Sequence, residues 1–524
     1  PKFFHPDLTV KRQSGFLLPR FNNSNALGAS VSVPYFYAIS ENKDMTFNPT
    51  IFYESTKMIQ TEFRQKNKNS SLTADIGISR DFKTSATNKK KNAYHLFSKL
   101  NKNLDFKVFN KSNLNFFIER VNKDTYLKIF DSTLASDSIK PKNLDLLNSG
   151  FDFFLENNNY SLSGGANIFE DLTKNRNDRY QYVFPYYNFS KNIKSFNFGF
   201  LNFNSKGNNN LKETNKITTQ IINDLSFNSN DKIFETIGLK NNLNLYFKNL
   251  NNLGKNTSNY KSSPQIELQS LVEFNSELPL LKFSDDHRET LIPKISMRFN
   301  PGDMRDNSEK NRKINIENIF DSNRLAIDES FESGKSITLG ASYKKESNTN
   351  QNKFIEYKLA TVFRDKHEED IPSQTSLHKR NSNLFGSVDY GLSNNLVIDY
   401  KFATDNKIEN FVHNSIGINF SLNNFVTSFN FIEEELELGN TNILENTTKY
   451  NLNSNNSVSF KTRKNREINL TEYYDLVYEY KNDCLTAGVK FNKTYYEDRD
   501  LKPSENIMFT ISFYPLTSVE QSVK

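Results

Sequence analysis

Along much of this chain apolar and polar residues alternate with a period of two. In Leu72-Thr73-Ala74-Asp75-Ile76-Gly77-Ile78-Ser79 the even positions are apolar and the odd ones polar or small, which predicts a strand with one apolar and one polar face rather than a helix. Ile337–Tyr343 and Leu243–Phe247 repeat the pattern. Two late stretches read as hairpins. Leu384–Leu392 alternates, Ser393-Asn394-Asn395 turns the chain, and Leu396, Ile398, Tyr400 and Phe402 then point one way while Asp399 and Lys401 point the other. Ile416, Ile418, Phe420 and Leu422 form the next face, Asn423-Asn424 turns, and Phe425, Thr427, Phe429 and Phe431 return; asparagine tolerates the left-handed conformation tight hairpins need.

Near the start, Lys11-Arg12-Gln13-Ser14-Gly15-Phe16-Leu17-Leu18-Pro19-Arg20-Phe21 and Val31-Ser32-Val33-Pro34-Tyr35-Phe36-Tyr37 read as two successive strands, each holding a proline. Proline cannot donate to a ladder, so both strands carry a built-in weakness. Short turns alternate with polar stretches that read as long connectors: Thr84–Asn92, Asn204–Asn215, Asn300–Lys313, Asn348–Lys353 and Arg364–Asn381. Short turns on one rim and long loops on the other is the pattern of an outer-membrane barrel. At about 20 residues per strand with its share of turn, built on spanning strands of about 10 residues, the chain predicts an all-β fold, one large antiparallel transmembrane β-barrel of about 26 strands. Its lumen is too wide for wall side chains to fill and needs a channel or a plug.

Composition agrees with a one-sided sheet. Of 524 residues only 36% are apolar, yet 13% are aromatic, with 46 Phe and 24 Tyr, too polar for a helical membrane protein and too aromatic for a disordered chain. No run approaches the length of a transmembrane helix, so any spanning falls to strands. With no Trp, the interfacial girdles are expected from Tyr, with Phe in support. The start Pro1-Lys2-Phe3 has no signal-peptide character, which reads as either a cytosolic protein or an internal fragment, and the missing Met at position 1 favours the fragment. The single cysteine, Cys484, has no internal partner for a disulfide.

Candidate chemistry is sparse. The net charge of +6 names no partner, and Lys89-Lys90-Lys91 is too short a basic run for nucleic acid. Among the six histidines only His367-Glu368-Glu369-Asp370 and Asp285-Asp286-His287 are dense in carboxylates; both read as solvated loops and neither has the second His of a zinc site. Asp285, Asp286 and His287 are the residues a hydrolase reading would use. The alternation alone also fits a soluble all-β protein such as a sandwich array, an adhesin or a solenoid, although no solenoid repeat is visible.

The opening segment from Phe4-His5-Pro6-Asp7 through Val10–Pro19 to Val33-Pro34-Tyr35-Phe36 closely resembles the start of the barrel in the LptD family of lipopolysaccharide assembly proteins. Phe184-Pro185-Tyr186-Tyr187, Thr290–Lys294 and Ile319–Glu329 fit the same family. Tyr478–Leu485, Tyr496–Pro503 and Phe509–Phe513 are similar to the last hairpin of its α-proteobacterial members. The resemblance implies a conduit and no enzyme: a translocon that inserts lipopolysaccharide into the outer leaflet of a Gram-negative outer membrane, with no cofactor and no metal. It places a lateral gate between the first strand and the last, about Asn506–Tyr514, with Gly15, Pro19 and Pro34 on one side and Phe509 and Phe513 on the other. It implies a lipoprotein plug like LptE, a periplasmic bridge of the LptA type and outer-membrane lipids as partners, with no nucleic acid. Cys484 matches a cysteine that the family bonds to its periplasmic domain, although members carry two adjacent cysteines and Asp483 stands beside this one. Residues 1–12 would then be the tail of a missing periplasmic β-jellyroll domain and residues 13–524 the barrel. The competing readings are a porin or substrate-specific channel and an outer-membrane hydrolase.

Overall fold

A computed structural model describes residues 13–522, apart from 18, 25–26, 54–55, 85–86, 131–133, 135–138, 259, 435–439, 483–484, 496–503 and 514–516. Residues 1–12 and Cys484 lie outside the described residues, so the jellyroll tail and the disulfide expectation cannot be placed on it. Nearly the whole chain is one antiparallel sheet of 31 strand segments. It begins with β1 (Gly15–Phe16), β2 (Arg20–Ser24), β3 (Gly28–Ser32), β4 (Tyr35–Ser40), β5 (Lys43–Phe52), β6 (Lys57–Asn67), β7 (Ser70–Thr84) and β8 (Thr87–Asn103). From β5 onward the strands run up and down, each pairing with the next. In four places two segments are collinear pieces of one strand because both pair with the same neighbour. For example Lys216–Ser229 and Lys232–Phe234 both lie on Leu239–Lys255, and Gln265–Glu277 and Leu280–Phe283 both lie on His287–Asn300. The segments Ser504–Phe513 and Thr517–Ser522 return to within 8 Å, Cα to Cα, of β2, so the sheet closes on itself as a barrel.

Polarity is turned inside out. On β7 Ile76 and Ile78 are 47% and 49% exposed while Asp75 and Ser79 are 2% and 0% exposed. On His287–Asn300, Met297 and Phe299 are exposed while Ser296, Arg298 and Asn300 are buried. An apolar outer band around a polar interior is what a barrel in lipid requires, and no described helix is long and apolar enough to cross a membrane. The band is interrupted where Ser205 and Asn223 share a face with Phe203 and Leu225. There the polar groups satisfy one another laterally: Ser205 Oγ donates to Asn223 Oδ1 at 2.7 Å and Asn223 Nδ2 donates to Asn249 Oδ1 at 3.1 Å.

Both predicted late hairpins form, Leu384–Ser393 with Leu396–Thr404 and Phe411–Leu422 with Phe425–Glu434. Asn423 has φ +47°, the left-handed backbone its turn requires. Three predicted connectors need correction. Thr84–Asn92 belongs to the β7–β8 hairpin, and Asn204–Asn215 lies largely within the strand Gly199–Lys212; both polar runs look like loops, and in the second Ser205 is served by Asn223 of the neighbouring strand. Asn348–Lys353 is a real turn, but on the rim of short turns shared by 41–42, 68–69, 197–198, 394–395 and 423–424. The opposite rim carries the long loops 122–145, 301–333 and 365–383. These loops account for the buried polar interior, because they fold back onto the wall and bring apolar clusters of their own. One joins Tyr126, Leu127, Ile129 and Phe130 to wall residues. The other joins Ile314, Ile319, Leu325, Ile327, Ile371 and Leu377 to Val362, Phe385 and Ala403.

The two faces should differ in tolerance. In unfolding titrations from lipid vesicles, Ile76→Lys is expected to cost about 2–4 kcal/mol, the range for a cation near the midplane of a lipid face, and Asp399→Asn well under half of that.

Candidate functional site: the proline seam and the plugged lumen

The first two strands are each broken at their proline. β1 pairs with β4 and β2 with β3, while β3 and β4 both pair with β5, so β1 and β2 are one strand interrupted at residues 17–19, and β3 and β4 one strand interrupted at residues 33–34. Across the first gap Leu17 N–H donates to the Pro34 carbonyl at 2.8 Å, and across the next Val33 N–H donates to the Pro49 carbonyl at 3.3 Å. In an antiparallel ladder such residues exchange two bonds. Neither reciprocal bond can form here, because Pro34 and Pro49 have no N–H. Two successive ladders therefore each carry a half-bonded rung at the same height, and Pro19 breaks the outermost strand beside them. Pro49 was not singled out from the sequence; its signal was the even spacing of Pro19, Pro34 and Pro49, three prolines about one hairpin leg apart.

The remaining seam residues are placed as follows. Gly15 sits in β1, where an added Cβ would meet nothing within 4 Å. Phe16 beside it is 77% exposed and packs edge-on against Tyr35 with ring centres 5.0 Å apart. Ser14 Oγ accepts from Ala38 N–H at 2.9 Å and fixes the lower end of the strand. Phe509 and Phe513 lie on Ser504–Phe513, paired in turn with Leu485–Thr494 and Thr517–Ser522. Thr517–Ser522, a segment beyond the expected last strand, also lies against β2, and among the described residues no ladder joins the two. The hydrolase residues form no catalytic cluster: His287 Nε2 lies 2.9 Å from Glu289 Oε1, and the Asp285 and Asp286 carbonyls accept from Asn348.

The lumen is crossed by loop 301–333, which is tied to strands far apart around the wall. Lys206 pairs with Asp328 at 2.6 Å, Arg305 Nε with Glu267 at 2.9 Å, Lys401 with Glu317 at 2.5 Å, and Lys313 with Glu434. Its root is a buried ion cluster. Glu332 takes both Arg324 Nε and Nη2, at 2.7 and 2.6 Å, and also Arg364, while Arg324 Nη1 donates to Thr338 Oγ1 at 2.8 Å. Burial pushes the Glu332 carboxyl up, but Arg324, Arg364 and Arg298 outweigh it and hold it down to about 2, from the usual 4.5. The sequence pattern gave no hint of this cluster, since Arg324 and Glu332 are ordinary loop residues until the loop folds inward.

No model of a known protein family matches the chain. It is similar to proteins named LPS-assembly protein LptD. The match to that of Idiomarina loihiensis is 26% identical over 168 residues, 31% of this chain and 21% of that protein. That of Shewanella oneidensis is 40% identical over 68 residues, 12% of this chain and 9% of that protein. That of a Polaromonas species is 42% identical over 64 residues, 12% and 8%. Each match thus spans at most about a fifth of the relative's length. Among solved structures, the alcaligin receptor FauA of Bordetella pertussis aligns with 96% of this chain and 76% of its own, at 7% identity and a TM-score of 0.29. The ferric preacinetobactin receptor BauA of Acinetobacter baumannii aligns with 96% and 77%, at 6% identity and a TM-score of 0.29. Superpositions this loose carry no weight.

Because Glu332 has a lowered folded-state pKa, its contribution to loop docking is present above its unfolded value near 4.5 and is lost as pH falls towards about 2. Digestion by an acid-active protease should leave 301–333 intact at pH 5 and cut it progressively below pH 4, and Glu332→Gln should make the loop cleavable already at pH 5.

Proposed function

We propose that this chain is the barrel of a lipopolysaccharide translocon in the outer membrane of a Gram-negative bacterium. The observation that carries the reading is the pair of half-bonded rungs, Leu17 with Pro34 and Val33 with Pro49, beside the place where Thr517–Ser522 returns to β2. In lipid no water replaces a missing backbone bond, so such a seam weakens the wall at one chosen place. A wall that only encloses a pore gains nothing from this. One that must release an amphiphile sideways does.

On this reading the short-turn rim faces the periplasm and the long-loop rim the exterior. Acyl chains leave through the seam between the first strands and the returning segments Ser504–Phe513, which carries Phe509 and Phe513, and Thr517–Ser522, while the anionic head group passes within the lumen. No bond is made or broken, so the chain acts as a conduit. An LptE-like lipoprotein would share the lumen with loop 301–333, and an LptA-type bridge would deliver lipid through an N-terminal domain bonded to Cys484. The relatives named LptD support the substrate class, and the ties of loop 301–333 across the lumen weigh against a passive porin.

The test is a covalent staple across the seam. Cysteine pairs scanned across β2 and Thr517–Ser522 should include one that oxidises. That staple is expected to stop lipopolysaccharide reaching the surface while the barrel stays folded and inserted. Normal surface lipopolysaccharide from fully oxidised protein would replace the translocon reading with the channel reading, since flow through the lumen is indifferent to the staple. Independently, full-length protein should shift in non-reducing electrophoresis when Cys484→Ser removes the bond to the N-terminal domain.

A further inference from the structure

The proline line does not weaken the first hairpin evenly; it divides it by height. Below the line, β1 rests on β4, and β4 is held to β5 by the pairs Tyr35–Phe47, Phe36–Thr46, Tyr37–Met45, Ala38–Asp44 and Ser40–Lys43. Above it, β2 and β3 form a closed hairpin with five facing pairs. That hairpin meets the wall through only three, Ser30–Phe52, Val31–Ile51 and Ser32–Thr50, together with Tyr53 N–H donating to the Ala29 carbonyl at 2.7 Å. The next ladder along, β5 with β6, has nine. Its outer edge, β2, lies against Thr517–Ser522, and at its tip Leu27 is 2% exposed.

Leu27 is buried in an apolar cluster that belongs to another part of the chain. The cluster comprises Phe52 of β5, Met58 of β6, Ala93 and Phe97 of β8, and Tyr126, Leu127, Ile129 and Phe130 of loop 122–145. Phe130 packs edge-on against Phe52 with ring centres 6.3 Å apart. The loop is itself seated firmly on the wall. Tyr126 Oη lies 2.7 Å from His95 Nδ1, and the His95 ring stacks on Phe97 with centres 4.4 Å apart. Beneath it Asp75 accepts from Gln60 Nε2 at 2.7 Å. These anchors stand on β5, β6, β7 and β8, not on β2 or β3, so the hairpin can leave the cluster while the cluster stays in place.

We infer that Gly28–Ser32 and β2 form a flap hinged at the line of Pro19, Pro34 and Pro49 and latched shut by Leu27 in the pocket of loop 122–145. Opening is then confined to the half of the seam on the long-loop side, and the lower half, β1 and β4 on β5, stays sealed. As a gate for lipid this rests on the proposed translocon role; as a statement about which backbone opens, it stands apart from it.

Hydrogen exchange on the full-length protein in lipid nanodiscs tests it. In the parent protein, amides 28–32 should exchange faster than amides 36–40. Leu27→Ala should raise exchange at 28–32 by about ten-fold or more, a local opening well below global unfolding, and leave 36–40 and 44–47 unchanged. Tyr126→Phe, which alters no flap residue, should give the same pattern with smaller amplitude by loosening the latch. Pro49→Ala should do the reverse and slow exchange at 31–33, because residue 49 regains an N–H for the Val33 carbonyl. Unchanged exchange at 28–32 in both Leu27→Ala and Tyr126→Phe, or equal acceleration above and below the proline line, overturns the flap. If the exchange pattern holds but cells carrying Leu27→Ala export lipopolysaccharide like the parent, the flap stands and its role as the gate falls.

Discussion

A sheet can hide its edges only by closing on itself, and every other property of this molecule depends on how that closure is made. Each edge strand presents a row of unpaired N–H and C=O groups, which in a bilayer have no solvent to turn to. Along most of the wall the solution is a full ladder, eleven pairs between β6 and β7 and fourteen between His287–Asn300 and Gly334–Ser347. At the start of the chain it is deliberately incomplete. Removing one donor from a rung forfeits about 0.5–1.5 kcal/mol in an ordinary protein setting, and here two rungs at one height have lost theirs, beside a junction between residues some 500 positions apart in sequence. Both half-bonded rungs lie beside the place where the two ends of the wall meet.

A wide lumen creates the second problem. Wall side chains cannot fill it, and an open bore would leak. Loop 301–333 is the chain's own answer, and its charges explain how a loop so polar can be buried. Taking Glu332, Arg324 and Arg364 out of water is costly, and such clusters rarely add net stability. Their value is that they accept one geometry: a bidentate Arg324, a second guanidinium from Arg364, and hydroxyls of Ser336 and Thr338 on the wall strand. An apolar plug of the same volume would slide; this one is registered against particular strands.

Much of the architecture was legible because period two survives in any strand with one wet face. Ile76, Ile337 and Leu243 declared their faces directly, and Asn423 its turn. What failed was the equation of polar runs with loops. The stretch Asn204–Asn215 reads as a connector because in a soluble protein so many amides would seek water; in a barrel wall they find one another, as Ser205, Asn223 and Asn249 do. The buried cluster at Arg324 and the latch at Leu27 were illegible for a different reason. Their partners lie from 8 to about 100 residues away, and no local spacing encodes a loop that turns inward. Pro49 was the exception that could have been read, since it repeats the interval between Pro19 and Pro34.

The placement of the two inward loops bears on how a weak seam and a tight lumen coexist. Loop 301–333 is tied to strands from Lys206 round to Glu434, which among the described residues leaves β1 to β5 outside its ion pairs. Loop 122–145 is seated on β5 to β8 and, among the described residues, meets the first hairpin at Leu27. On the inferred flap motion, displacing the upper hairpin breaks its three-pair ladder to β5 and the Leu27 contact and moves β2 against Thr517–Ser522, and among the described residues it touches none of the ion pairs that root the plug. Were the plug instead bonded to β2 or β3, each opening of the wall would also pull on Glu332 and unseal the bore. On the proposed translocon reading, separating the moving part from the sealing part lets the barrel part sideways without becoming a pore.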